Sequence, residues 1–459
     1  MRAIIGLLTL LSLPLLADSA SKKPNILFIS VDDLNDWAGY SGHEQVISPS
    51  MDKLAKEGVW FSQAYCQYPL CGPSRASVMS GFYYHQLKPT RLQIKDSDVA
   101  KTTDSMGSRM LHAYFKDHGY KTMAVGKILH RHLPEADLDE SGGRGSWNYH
   151  VDENGKRVKT HWQSTNTLTD WDVSQIPEEK MSDTKAAKWA VEKLGEEHDK
   201  PFMLMVGFLR PHVPWYAPEK YFKMYDREKV TLPPYKKDDL TDVPKAGNAT
   251  INDGYPRTEW AIENNQWKHI VQSYLASITF VDHKVGQVLD ALEASPHRDN
   301  TIVVLWSDHG YHLGEKNTFQ KHTLWERSAK VPLIVKLPPS LEGQMTKGRC
   351  DRVVGLIDLY PTLVDLCGLP ANDKAVGHSF KTLLKDHDST WHHPALTYLK
   401  DGGKSIRTSR YRYIEYADGT AELYNHSDDP NEWNNLIADP EYADALKMMR
   451  EKLAKAHVE

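Results

Sequence analysis

Three groups of residues have the types and spacing to do chemistry. The first is Cys71-Gly72-Pro73-Ser74-Arg75, with Gly81 six residues after the arginine. Pro73 suits the first turn of a helix. Cys71 would then sit at a helix N-terminus, where backbone N–H groups and the dipole favour an anion. Alone, the segment also reads as a free, mildly reactive cysteine ahead of a helix. The second group is Asp32-Asp33 with Asp308-His309. Three carboxylates at the ends of two buried strands repel one another unless a cation binds. Hard oxygen ligands suit calcium or magnesium, and the alternative is acids that cap helices after strands. The third group is cationic: Gly126-Lys127-Ile128-Leu129-His130, Pro211-His212-Val213-Pro214, and Lys321, thirteen positions after Asp308. With 22 histidines in the chain, an isolated one of these would be read as structural.

The elements that must hold these residues are legible in outline. Residues 24–30, 121–125, 201–208, 300–306 and 331–337 are short continuous apolar runs, which read as strands buried on both faces of a parallel sheet. Helical patterns cover 50–57, 106–119, 184–194, 272–294 and 357–367, and residues 71–80 read as a loop running into a helix. Strands alternating with helices predict an α/β fold: a large, mostly parallel (mixed) central sheet sandwiched by helices. Ligands bind outside the carboxyl ends of such strands. The polar clusters follow Ser30, Val125, Phe208 and Trp306, at those ends.

From about residue 380 the texture changes. Residues 405–416 are rich in arginine and tyrosine, Asp418-Gly419 is a hairpin signal, residues 422–425 read as the return strand, and 442–457 as a closing helix. A small C-terminal antiparallel sheet with a helix is expected. The division is 1–20 export signal, 21–380 catalytic domain, 381–459 C-terminal subdomain. Residues 150–181 are polar and weakly periodic, and read as a long insertion that covers the site.

The run Cys-x-Pro-Ser-Arg with the later glycine resembles the signature of the formylglycine-dependent sulfatase family, within the alkaline phosphatase superfamily. Tyr65 to Leu70 ahead of Cys71, the Gly-Lys-x-x-His element and Asp308 to Glu315 resemble its iduronate 2-sulfatase-like branch. The resemblance spans about residues 24–436. It implies that a maturation enzyme oxidises Cys71 to formylglycine, whose hydrate attacks sulfur with one hydroxyl and expels sulfate with the other. It implies one Ca2+ held by Asp32, Asp33, Asp308, His309 and the oxygen at residue 71. Arg75 would stabilise the hydrated aldehyde, while Lys127 and His130 would hold the sulfate and the formylglycine. Lys321 would also hold the sulfate, because fixed cations stabilise a sulfuryl group in transit. His212, ahead of His309, would protonate the leaving oxygen. The substrate would be a sulfated sugar or polysaccharide. His85, Lys88, Arg91, Tyr311 and His312 are candidates for choosing it, or are surface residues. His312 and the insertion depart from the branch pattern, so the sugar is not carried over. Two other readings stay open: a phosphate or phosphonate hydrolase of the same superfamily, and a non-catalytic sulfated-glycan-binding protein that keeps Cys71 as a thiol.

Composition agrees with an enzyme. The 459 residues are 40% hydrophobic and 25% charged with net charge −5, which allows a large core and argues against a general nucleic-acid binder. Thirteen tryptophans and 22 tyrosines suit carbohydrate contacts or ordinary packing. Arg2, an apolar run over 3–16 and Ala17 or Ala20 as cleavage positions read as a secretory signal, too short for a membrane span. No cysteine follows it, so no lipid anchor is expected, and the chain is predicted to be periplasmic or extracellular. Of four cysteines, Cys66, Cys350 and Cys367 remain if Cys71 is consumed. Cys350 and Cys367 could pair, or all three could stay reduced and buried.

Overall fold

The computed structural model describes residues 23–343 and 345–456; the predicted export signal lies outside the described residues. The strands are β1 (Asn25–Val31), β2 (Val59–Tyr65), β3 (Lys121–Gly126), β4 (Glu140–Ser141), β5 (Trp171–Val173), β6 (Phe202–Phe208), β7 (Trp215–Ala217), β8 (Thr301–Ser307), β9 (Lys330–Val331), β10 (Leu333–Lys336) and β11 (Gly348–Gly355). The central sheet runs β11-β2-β10-β8-β1-β6-β3-β4, with β9 beside β2. The block β8-β1-β6-β3-β4 is parallel, and β10 is antiparallel to both neighbours. Every residue of β1, β6 and β8 is buried, which is why these segments are continuously apolar rather than alternating.

Two hydrophobic clusters lie against this sheet and divide its strands by side-chain parity. Ile26 and Phe28 of β1 belong to one, Leu27, Ile29 and Val31 to the other. The second contains the 28-residue helix Trp267–Ala294. Among the described residues, no helix is long and apolar enough to cross a membrane.

The C-terminal sheet is antiparallel, with β12 (Ala395–Tyr398), β13 (Lys404–Arg407), β14 (Tyr411–Glu415) and β15 (Ala421–Asn425) in sequential order, and the helix Ala443–Ala456 supplies Met449 and Leu453 to its core. It meets the rest of the chain through buried charge: Arg412, held at 2.7 Å by Glu432 from the same C-terminal part, pairs with Glu326.

Several local expectations are corrected. Residues 106–119 are not one helix; the helices are Asp96–Ser105 and Leu111–Asp117, with Gly107 at φ +72° between them. β2 and β11 carry no sequence expectation, because their outer residues are partly exposed and polar. The insertion packs beside the loop that carries His212, where Trp215 N donates to Asp170 O at 2.8 Å. Asp170 accepts the amides of Thr160, His161 and Trp162, and Trp162 donates to Gly254 O at 2.7 Å. Cys350 and Cys367 form no bridge, and all four cysteines are free and buried.

Candidate active site

The helix Cys71–Ser80 begins at Cys71 itself, with no loop between, and all ten residues are buried. Pro73 stands in its first turn, where a missing N–H costs nothing. Gly81 ends it at φ +76°, its N–H returning to Ser77 O; this left-handed cap is what a glycine at that spacing provides. Gly72 faces Gln93, whose Oε1 would lie 2.8 Å from a Cβ at that position.

The carboxyl ends of β1 and β8 bring the acids to this helix. Asp33 adopts φ +60°, its N–H donates to Asp308 Oδ1 at 3.1 Å, and its carbonyl accepts from Tyr274 Oη at 2.8 Å. Cys71 Sγ lies 3.6 Å from Asp33 Oδ1, 3.3 Å from His309 Nε2 and 3.1 Å from Lys321 Nζ. Arg75 Nε donates to Asp308 Oδ2 at 2.7 Å, and its Nη1 to the carbonyls of Lys127 (2.5 Å) and Ile128 (3.1 Å). Lys127 Nζ is 2.5 Å from Asp32 Oδ2, and Lys321 Nζ 2.5 Å from Asp33 Oδ1. His212 Nε2 is 3.9 Å from Asp33 Oδ2, and His309 Nε2 3.3 Å from Asp33 Oδ1. His130 stands at the rim beside Gly72, half-buried, with Nδ1 unpaired.

Burial and charge set the protonation of these groups. Burial alone would raise Asp32, but Lys127 and Arg75 outweigh it and hold the carboxyl well below its usual range. Burial raises Asp33, a rise that Lys321 and His309 do not cancel. Burial also pushes the Cys71 thiol up. A cysteine that attacks as thiolate needs the opposite shift, so residue 71 is a poor nucleophile while it remains a thiol. Burial, with Lys321 and Lys127 close, pulls His212 well below the normal histidine range. Its Nδ1 is 2.5 Å from Val213 O, which can only accept, so Nδ1 carries the proton.

The donor set fits a hard divalent cation. Asp33, Asp308, His309 and Cys71 each offer a donor atom within 4.8 Å of the others, as do Asp32, Asp33, Cys71 and His212. Asp33 Oδ2 is buried with no hydrogen-bond partner among the described residues, and a buried carboxylate oxygen left so is costly unless a cation takes it up.

Residues 24–369 match the family model described as Sulfatase, and residues 314–459 match that of the N-sulphoglucosamine sulphohydrolase C-terminal region. The chain belongs to the sulfatase family. It is a sulfuric ester hydrolase. It is 38% identical to a sulfatase of Formosa agariphila, covering 95% of this chain and 87% of that one, and 28% identical to the iduronate 2-sulfatase of Homo sapiens, with 94% of each covered. A solved 2-O GAG sulfatase superposes with a TM-score of 0.73 at 23% identity, covering 95% of this chain and 92% of that one. The phosphonate monoester hydrolase of Agrobacterium radiobacter superposes at 0.74 and 20% identity, covering 95% of each chain.

In this sulfatase, two of the residues weighed for substrate choice face inward. Tyr311 is fully buried and donates to Phe319 O at 3.0 Å, and His312, fully buried, lies 3.0 Å from Thr323 Oγ1. Both pack the loop after Asp308. His85, Lys88 and Arg91 are exposed, and His85 stacks near Tyr83 and Tyr398 of the C-terminal sheet. Trp147 carried no sequence signal, yet its ring lies 5.0 Å from Lys127 Nζ and 4.8 Å from the His212 ring. Arg210 went unnoticed as well. It holds the His212 loop through the carbonyls of His212 (3.1 Å) and Tyr216 (3.0 Å), and it reaches Trp147 O at 3.3 Å. An arginine after an apolar strand is too common to have marked it.

Proposed function

We propose that this sulfatase removes sulfate from a sulfated carbohydrate, using a formylglycine made from Cys71 and one bound Ca2+. The observation that carries the reading is the setting of residue 71. It lies at a helix N-terminus within 3.6 Å of Asp33, His309 and Lys321, with its thiol pushed up rather than activated. Conversion of this side chain resolves that mismatch. When bound, the hydrated aldehyde supplies a hydroxyl nucleophile and the cation supplies positive charge beside the sulfate oxygens.

The chain's own residues do the rest. Asp32, Asp33, Asp308 and His309 hold the cation. Lys127, Lys321 and His130 bind the sulfate, and Arg75 orients Asp308 and residue 71. His212 delivers a proton to the leaving oxygen from Nε2. Similarity to iduronate 2-sulfatase and to a 2-O GAG sulfatase supports a sulfated sugar as substrate. The N-terminal apolar run supports export to a periplasm or the exterior. The change of texture near residue 380 supports a catalytic domain over 21–380 and a subdomain over 381–459.

The decisive experiment is mass spectrometry of the tryptic peptide carrying Cys71, from protein made with a formylglycine-generating enzyme. A loss of about 18 Da relative to cysteine, expected of sulfur-to-oxygen exchange to an aldehyde, bears the reading out. An unchanged thiol favours a sulfated-glycan-binding protein. The superposition on a phosphonate monoester hydrolase favours a second reading, hydrolysis of phosphate or phosphonate monoesters. Turnover of sulfate, phosphate and phosphonate esters side by side separates the two.

A further inference from the structure

Unpaired buried polar atoms gather around Cys71 beyond the groups already assigned. Gln93 Oε1 is buried with no partner among the described residues, facing Gly72, where a Cβ would lie 2.8 Å from it. Arg144 Nε and Nη2 are buried and likewise unpartnered. A guanidinium is always charged and presents a rigid fork of donors, so leaving two of its nitrogens buried and unsatisfied costs more than leaving an amide so.

The loop that carries Arg144 is pinned on both sides. Gly143 O accepts from Gly126 N at 2.8 Å, at the carboxyl end of β3. Ser146 N donates to Ser182 Oγ at 2.8 Å, and Trp147 O accepts from Arg210. Gly143 and Gly145, at φ +68° and +82°, give the turn its shape, and a Cβ on Gly145 would lie 2.7 Å from Ser182 Oγ. The Arg144 guanidinium lies 4.0 Å from the centre of the Trp147 ring. That ring also neighbours Lys127 and His212. Two cations thus share one indole. Lys127 has Asp32 as its counter-ion at 2.5 Å, whereas no ion pair is formed by Arg144 among the described residues. A preorganised, desolvated cation beside the reacting centre is what recognition of an anion requires.

We infer that Arg144 is a specificity residue, binding a second anionic group on the sugar that bears the scissile sulfate. Stacked on Trp147, it takes up a carboxylate or a second sulfate, and Gln93 Oε1 accepts from a hydroxyl or N–H of the same sugar. The inference rests on the sulfated-carbohydrate reading above and narrows it to doubly anionic sugars.

The test uses the full chain, matured at residue 71, and three sugars of one ring type: a neutral monosulfated sugar, a sulfated uronic acid, and a disulfated sugar. The wild type is expected to prefer at least one of the last two in kcat/KM. In Arg144→Ala that preference should fall by about 10–100-fold, the range for losing charge-assisted hydrogen bonds, mostly through KM. Arg144→Lys should restore part of it, since the charge returns without the fork. Loss confined to the uronic acid identifies a carboxylate, and loss confined to the disulfated sugar a second sulfate. Equal loss on all three sugars, or a wild type that treats them alike, overturns the inference and leaves the sulfatase reading intact. A matured wild type that cleaves none of them while cleaving an aryl sulfate overturns the carbohydrate reading and this inference with it.

Discussion

The Lys321 ammonium lies 3.1 Å from Cys71 Sγ and shares Asp33 with it. Burial would lower its pKa, but Asp33 and Cys71 outweigh burial and hold it well above the ordinary lysine range. It is therefore a fixed positive charge at residue 71. Lys321→Ala should reduce kcat by about 10²–10³-fold, the scale for removing one preorganised electrostatic donor. Steady-state kinetics on an aryl sulfate checks this, and an unchanged kcat would remove Lys321 from the machinery.

Asp308 joins the metal donors to Arg75. Chelation of the matured wild type should lower its Tm, and added Ca2+ should restore it, because a ligand that binds only the folded state at about 100 Kd stabilises by about 2.7 kcal/mol. Asp308→Asn should lose bound calcium by elemental analysis. Full calcium content in that variant would exclude Asp308 as a ligand.

His212 carries its proton on Nδ1, while Nε2 points towards Asp33. To act as an acid it must gain a second proton, which an arriving sulfate anion favours. His212→Ala should slow sulfated sugars at least about tenfold more than activated aryl sulfates, whose leaving groups need no proton. Equal slowing of both would assign His212 to binding alone.

Asp358 lies away from the site, its carboxylate accepting the amides of Gly355 (2.9 Å) and His378 (2.8 Å). Burial pushes its pKa up to about 7, against the pull of those two donors. The folded chain therefore holds a proton that the unfolded chain releases near pH 4. Its contribution to stability is complete below about pH 4 and is lost as the pH rises through 7. Asp358→Asn should flatten that part of the stability profile in denaturant melts, and an unchanged slope would show that the carboxyl ionises normally.

The sequence made the reacting centre legible because its residues follow strands whose apolar runs are unmistakable. Asp32 and Asp33 follow β1, Lys127 follows β3, His212 follows β6, and Asp308 follows β8. The sheet then assembles them without further information. What stayed hidden depends on contacts between distant segments. Tyr311 and His312 sit two and three residues beyond His309, yet their side chains turn into the core. Trp147 and Arg144 lie in a glycine-rich turn with no periodicity, and only the bonds from Gly126, Ser182 and Arg210 place them beside Lys127. β2 and β11 were missed because one face of each is partly open to solvent, which breaks the apolar run.

One close approach of backbones has a consequence for how this enzyme can change. A Cβ on Gly126 would lie 1.9 Å from Gly207 O, and one on Gly207 would lie 2.1 Å from Lys127 O. The two strands touch where the chain delivers Lys127, and neither position accepts a side chain, alone or together with the other. Mutational drift towards a new sugar is therefore barred at this edge. It must run through exchange of side chains already present, those of Arg144 and Gln93 among them. A directed-evolution library aimed at substrate range belongs at those side chains and not at Gly126 or Gly207.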